Sequence, residues 1–316
     1  MSSHSDLIRC VAGDISSVSL GHTQCHEHIW LEKGASYEVN PALCMDDYEK
    51  SLAELKAYRD AEGGTIVDAQ PGGFGRNIHV LSRLSQESGV NIISVSGMHK
   101  LCFLDEPDRF ADKTDKQLSD VFIRELTEGM ESGDARVKTG MLKLALDVGG
   151  IEDRRYTGLY DGVLRAAGET GAPLMVHTEK GNDLSALLKR CREYDLASER
   201  LLICHLDRTN PDSDAHRHLL DAGCNLCYDS VHRYKYVSDA QELLLIRAMT
   251  EEGYSRQIVL SLDTTNQRLR NYGSADMGLD EILTDFIPKM VGYGISQTAI
   301  DAMCRKNAKR ILQFNV

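Results

Sequence analysis

The chain has 316 residues, 42% of them hydrophobic and 27% charged, with a formal net charge of −12. A chain of this length buries enough surface to fold without a disulfide or a structural metal, and α/β barrels of this size form one unit, so residues 1–316 are expected to make a single domain. The acidic balance excludes a nucleic-acid or anionic-membrane partner, either of which calls for a basic face.

In chain order, apolar or β-branched runs alternate with stretches of helical period. A strand is predicted over Leu20–His28, then a helix over Asp46–Ala61, a strand over Thr65–Gln70 and a helix over Ile78–Ser88. The alternation continues with strand Asn91–Gly97, helix Asp115–Glu131, strand Gly140–Leu146, helix Asp153–Thr170, strand Pro173–Thr178 and helix Asp183–Tyr194. Strand Leu201–Leu206, helix Ser213–Ala222, strand Cys224–Asp229, helix Ser238–Glu252 and strand Ile258–Asp263 follow, and Leu279–Val291 and Ser296–Leu312 close the chain as helices. Ser88-Gly89 and Thr170-Gly171 each end a helix just before a strand, as expected of a glycine at the C-terminal stop. Eight such units predict a closed (β/α)8 TIM barrel rather than an open sheet.

Nine cysteines without disulfide-like spacing suit a reducing compartment. Cys224 and Cys227 form an isolated CxxC on a strand, which sends the thiols to opposite faces. The opening MSSHSDLIRC has no apolar signal core, and no run approaches the ~20 apolar residues of a membrane span; a cytoplasmic location is expected. Gly72, Gly73 and Gly75 match no phosphate-loop pattern and read as a turn.

Polar residues able to do chemistry stand at the ends of the predicted strands, which in a barrel share one face. His26 and His28, two apart on the first strand, face the same side, with Cys25 and Glu27 expected outward toward the helices. His177 ends the fifth strand, His205 the sixth and Asp263 the eighth. A single histidine ending an apolar strand is ordinarily a hydrogen-bonded structural residue, and Asp263 alone reads equally as a helix N-cap. Together, four imidazoles and a carboxylate suit a borderline divalent ion such as zinc. Lys143 lies inside the apolar run Met141-Leu142-Lys143-Leu144-Ala145. A buried ammonium tends to lose its proton, and the neutral amine can add carbon dioxide to give a carbamate able to bridge two cations. The bland reading is an ammonium that reaches the barrel rim.

The combination resembles the phosphotriesterase family of the amidohydrolase superfamily over nearly the whole chain. The resemblance is carried by Gly21-His22-Thr23 with His26-Glu27-His28, Gly64-Thr65-Ile66-Val67-Asp68, Gly75-Arg76-Asn77 and Lys143-Leu144-Ala145. It continues through Val176-His177-Thr178, Cys204-His205-Leu206-Asp207, Ser261-Leu262-Asp263 and the terminal Arg305-to-Leu312 segment. The family more often has Gly where Cys204 stands, and Asn-Pro where Asn307-Ala308 stands. The resemblance implies two divalent metal ions, zinc being the expected metal. His26, His28 and Asp263 would hold the more buried ion, His177 and His205 the more exposed one, and a carbamate on Lys143 would bridge them. Two ions sharing a water bring its pKa toward neutrality, and Asp263 would be the catalytic proton acceptor.

The substrate is expected to be a small molecule. Family members are often lactonases and often dimers, so a homodimer is implied. Arg233 and Lys235 after the seventh strand, and Arg268, Arg270 and Tyr272 after the eighth, occupy the loops that often hold phosphate in barrels. The Arg233-Tyr234-Lys235-Tyr236 segment is similar to the sugar-phosphate lactonase branch. His99 and His232 follow strands at the mouth and are further candidates for substrate contact. The expected activity is therefore opening of a sugar lactone with an anionic tail. A phosphotriesterase or amide or ester hydrolase is the alternative; a mononuclear deaminase would lack the bridging lysine, and a non-catalytic scaffold would have an incomplete ligand set.

Overall fold

The alternation of apolar strands and capped helical stretches folds, in the computed structural model, into eight parallel strands; residues 6–133, 135–273 and 275–314 are described. The first residues of the opening stretch, Met1 to Ser5, lie outside that set. The strands are β1 (His22–Glu27), β2 (Gly63–Asp68), β3 (Asn91–Met98), β4 (Met141–Ala145), β5 (Leu174–His177), β6 (Leu201–Cys204), β7 (Asn225–Tyr228) and β8 (Ile258–Leu260). They lie side by side in chain order, the arrangement of a (β/α)8 barrel.

Period-two alternation sorts the side chains. Val67, Met141, Met175, Leu202 and Val259 fill the interior, while Leu142, Leu174, Ile203 and Ile258 pack outward under the helices. Cys227 joins the inner layer and Cys224 the outer one, as their odd spacing requires. Ile8, Cys10, Ala308, Ile311 and Leu312 join the same interior cluster, so the two ends of the chain plug the barrel opposite the mouth. Most of the outer helices start on side-chain caps, including full capping boxes at Thr114 and Ser238.

Among the described residues no regular ladder joins β8 to β1. The seam is closed by Asp263 N donating to His26 O at 3.3 Å and by the Glu27 carboxylate, which accepts from Leu262 N at 2.6 Å and Thr264 N at 3.2 Å. Glu27 and Cys25 were both expected to face the helices. A register irregularity between Gln24 and Glu27 breaks the alternation instead, turning Cys25 into the interior cluster and Glu27 into the seam. Glu27→Leu is therefore expected to destabilise the protein, since two buried N–H groups would lose their acceptor at about 1–3 kcal/mol each. Urea unfolding measures this; an unchanged midpoint would show that the seam does not depend on the carboxylate.

Several details differ from the sequence expectation. The sixth strand stops at Cys204, because His205 takes a left-handed φ of 70° and Leu206–Thr209 turns helical. The helix predicted to reach Glu131 ends at Thr127, and Met130–Ser132 pairs antiparallel with Ala135–Val137. Both C-terminal helices contain a π turn, at Ile282–Phe286 and Ala302–Lys306. Among the described residues no helix is long and apolar enough to cross a membrane.

Candidate metal and substrate site

At the C-terminal ends of the strands, a cavity of about 580 Å³ is floored by His26, His28, Lys143, His177 and Asp263. Asp263 Oδ1 lies 3.3 Å from His28 Nε2 and 3.7 Å from His26 Nε2. His205 Nε2 lies 2.7 Å from His177 Nδ1, and the His205 ring stands 4.8 Å from that of His26. The geometry thus brings together the six residues singled out as ligands from β1, β4, β5, β6 and the end of β8. His205 and Asp263 reach the site from left-handed backbone, with φ of 70° and 48°; such strain in non-glycine residues gathers at functional positions.

A buried carboxylate that the sequence reading passed over orients this set. Asp229, fully buried at the end of β7, faces His26 Nδ1 at 2.9 Å through one oxygen and His205 Nδ1 at 2.8 Å through the other. Glu179 does the same for His177, at 3.2 Å from Nε2, and is itself paired with Lys100. Each carboxylate accepts the N–H of its imidazole, so the opposite nitrogen carries the lone pair. The consequence at His205 and His177 is decisive. Two lone pairs then meet at 2.7 Å, an arrangement that calls for a cation. Burial, joined by Arg208 for His205 and by His205 for His177, lowers both imidazoles, His205 to about 3, so a proton does not fill that role near neutrality.

The first donor set is equally suited. His26, His28 and Asp263 place their ligand atoms within 4.8 Å of one another, and burial brings His28 down to about 4. His26 is drawn the other way: burial is outweighed by Cys204, Asp229 and Asp263, which raise it to about 10, so a cation at its Nε2 displaces a proton. Burial would raise Asp263, but Arg233 and Arg208 hold its carboxyl well below the usual carboxylate range. Its Oδ2 accepts from Arg208 at 2.8 Å and from Arg233. Donors of this kind fit divalent transition-metal ions.

Lys143 is completely buried and donates from Nζ to Ala69 O at 2.8 Å. Burial lowers it to about 8, so a usable fraction of neutral amine exists near neutral pH. Gly97 is its register partner on β3, and a Cβ there would fall 2.1 Å from Lys143 O; only glycine permits this approach. The His177–His205 pair belongs to no group of three ligand atoms among the described residues. An anion on Lys143 would supply the third.

The substrate candidates separate. Arg233, Lys235 and His99 line the cavity; His99 is kept neutral by burial and lies 5.6 Å from the His177 ring. Four others do not line it. Arg268 donates to Val231 O at 2.7 Å and to Asp263 O at 3.1 Å, tying two loops together. Arg270 is paired with Asp280 at 2.6 Å, and the Tyr272 hydroxyl bonds Ser51 and Asp47 O at 2.6 and 2.8 Å. His232 points into a carboxylate cluster outside the cavity. Loop side chains carry no period, so nothing in the sequence separated these groups. Asp229 did carry a signal, a carboxylate ending a strand.

The cavity has two unlike walls. Lys180, Arg208, Arg233 and Lys235 follow β5, β6 and β7; Leu31, Val39, Leu43 and Phe103 follow β1 and β3 on the opposite arc. Among the described residues Lys180 and Lys235 form no ion pair.

Residues 7–312 match the profile of the Phosphotriesterase family. The chain is 28% identical to a phospho-furanose lactonase of Mycoplasmopsis synoviae (strain 53), covering 97% of this chain and 92% of that one. It is 27% identical to an N-acetyltaurine hydrolase of Salmo salar over 99% of this chain and 100% of the other. Among solved structures, a lactonase from Listeria monocytogenes superposes with a TM-score of 0.88 at 25% identity, covering 98% of this chain and 100% of that one.

Proposed function

The chain belongs to the phosphotriesterase family and is a metal-dependent hydrolase; from that premise we propose that it is a binuclear lactonase acting on a sugar lactone with a phosphate or other anionic tail. In this reading His26, His28 and Asp263 would hold one divalent ion, zinc being the expected metal, His177 and His205 would hold the other, and Lys143, as its carbamate, would contribute an anionic oxygen beside both. Ions held there would lower the pKa of a shared water and polarise the scissile carbonyl.

The chain's own groups do the rest. Asp229 and Glu179 hold the imidazoles in the tautomer that presents a lone pair. Asp263 takes the proton lost by water as its oxygen adds to the acyl carbon. It passes that proton to the ring oxygen as the C–O bond breaks, leaving a hydroxy acid. Arg208 and Arg233 keep Asp263 ionised between turnovers.

The observation that carries the substrate assignment is the pair of unpaired ammonium groups, Lys180 and Lys235, on one wall of the cavity of an acidic protein. An anionic tail there meets two cations that have no other counter-ion among the described residues. Hydrolysis of phosphorylated γ-lactones should exceed that of the same lactones without phosphate by about tenfold or more in kcat/KM, since one charge-assisted contact is worth about 1.5–3 kcal/mol. The apolar wall favours a second reading, an amide hydrolase for an acyl group joined to an anionic head. A panel containing phosphorylated and plain γ-lactones, an N-acyl aminosulfonate and a phosphotriester decides between them, and preference for the uncharged lactone or the phosphotriester would overturn the first reading.

Asp229→Asn should weaken metal binding about 10–100-fold, the usual cost of losing a carboxylate that orients ligand histidines. Chelator competition reads this directly; unchanged affinity would show that Asp229 does not set the imidazole tautomers.

A further inference from the structure

The loop after β7 carries Arg233, Lys235 and Tyr236 to the cavity, yet its first outward residue, His232, faces away from it. His232 has a left-handed φ of 55°, and its side chain is 12% exposed. From the helix Asp239–Glu251, Asp239 Oδ2 lies 2.6 Å from Nε2 and Oδ1 accepts the backbone N–H at 3.0 Å. From the C-terminal segment, Glu281 faces Nδ1 at 3.0 Å and Asp285 faces Nε2 at 3.1 Å. Lys289 Nζ also stands 3.1 Å from Nε2, held by Asp239 and Asp285. Tyr234 packs its ring at 5.6 Å, and Arg270, near Glu281, is occupied by Asp280.

A neutral imidazole donates from one nitrogen only. Here both nitrogens face carboxylate oxygens, so a neutral ring protonated at Nδ1 turns its Nε2 lone pair toward two carboxylates and one ammonium, Lys289. Lys289 is hydrogen-bonded to Nε2 at 3.1 Å, yet Asp239 at 2.6 Å and Asp285 at 3.1 Å crowd the same nitrogen, so one ammonium offsets only part of the negative charge there. Three carboxylates against one ammonium leave the cluster short of positive charge.

We propose that His232 is a positioning residue: as an imidazolium it clamps the loop bearing Arg233 and Lys235 against the C-terminal helices, and the neutral ring releases that loop. Burial opposes the charge, but Glu281 and Asp239 outweigh it and raise the ring above the ordinary histidine value, with Lys289 pulling the other way. The clamp therefore holds to higher pH than an ordinary histidine would allow and opens as pH rises. Its effect on catalysis rests on the reading that this loop meets the substrate's anion; the clamp itself does not.

The test uses the full-length, metal-loaded protein from pH 6 to 9.5. Limited trypsin cleavage after Arg233 and Lys235 should increase about tenfold across a single step with rising pH in the wild type, relative to a reference site elsewhere in the chain. KM for an anionic substrate should rise about fivefold over the same step while kcat holds. His232→Gln, uncharged at every pH, should be cleaved at pH 6 as fast as the wild type above the step, and its KM should lose the step. Glu281→Gln, which keeps the ring, should move the step to lower pH, and Lys289→Met to higher pH. Loop cleavage without a pH step in the wild type, or resistance of His232→Gln at pH 6, overturns the clamp. A protein that hydrolyses no anionic substrate but retains the proteolytic step refutes the substrate reading and leaves the clamp standing.

Discussion

Asp263→Asn is expected to lower kcat by about 10²–10⁴-fold, the range that positioned proton transfer contributes, with bound metal close to the wild-type amount. The two effects separate because the carboxylate does two things with two oxygens. Oδ1 faces His26 and His28, and the amide oxygen of asparagine can take that place. Oδ2 faces Arg208 and Arg233; with nitrogen there, no proton can be accepted and passed on. Arg208 retains Asp229 at 3.5 Å, so the substitution does not leave that guanidinium without an anion. Metal content by elemental analysis and kcat on the best substrate of the panel make the comparison. Turnover at the wild-type rate with metal retained would remove Asp263 from proton transfer.

Lys143→Met should lower activity by about 10³-fold or more. Lewis-acid assistance is worth several kcal/mol, and each 1.4 kcal/mol is about tenfold in rate. The variant keeps the volume and apolar character of the stem, so the expected loss is of metal, from the two ions per chain of the proposed function to one or none, with little change in stability. The wild-type lysine adds a pH signature. Carbon dioxide reacts only with the neutral amine, and burial sets Lys143 at about 8. Protein stripped of metal and then given zinc at a fixed concentration of dissolved carbon dioxide should regain activity about tenfold faster per pH unit below 8 and level off above it. A ¹³C resonance from labelled bicarbonate, retained on the wild type and missing from Lys143→Met, identifies the carbamate. Reactivation independent of pH and of bicarbonate would mean that Lys143 serves as an amine.

Several features were open to reading in one dimension because they rest on short-range periodicity. Alternating apolar runs such as Leu174-Met175-Val176 declare a strand with two buried faces, and Gly89 and Gly171 mark helix ends through their left-handed backbone. His26, Lys143, His177 and Asp263 stood out because each interrupts or ends such a run with a group that is costly to bury. The same logic applied to Asp229 would have found it; a carboxylate ending β7 is as conspicuous as one ending β8.

Pattern and cost of burial were thus legible in the residues alone: the (β/α)8 order, the mouth at the strand ends and the histidines, lysine and aspartate gathered there. What only the folded chain decided depends on contacts between segments that have no fixed spacing. Glu27 left the helix face because a register irregularity in β1 met the free N–H groups of Leu262 and Thr264 across the seam. Arg268, Arg270, Tyr272 and His232 left the substrate list because carbonyls, a hydroxyl and carboxylates that the fold brings beside them claimed them first. Loops lack a repeating period, so the direction of each side chain is set by whichever oppositely charged or hydrogen-bonding partner the barrel happens to bring within reach.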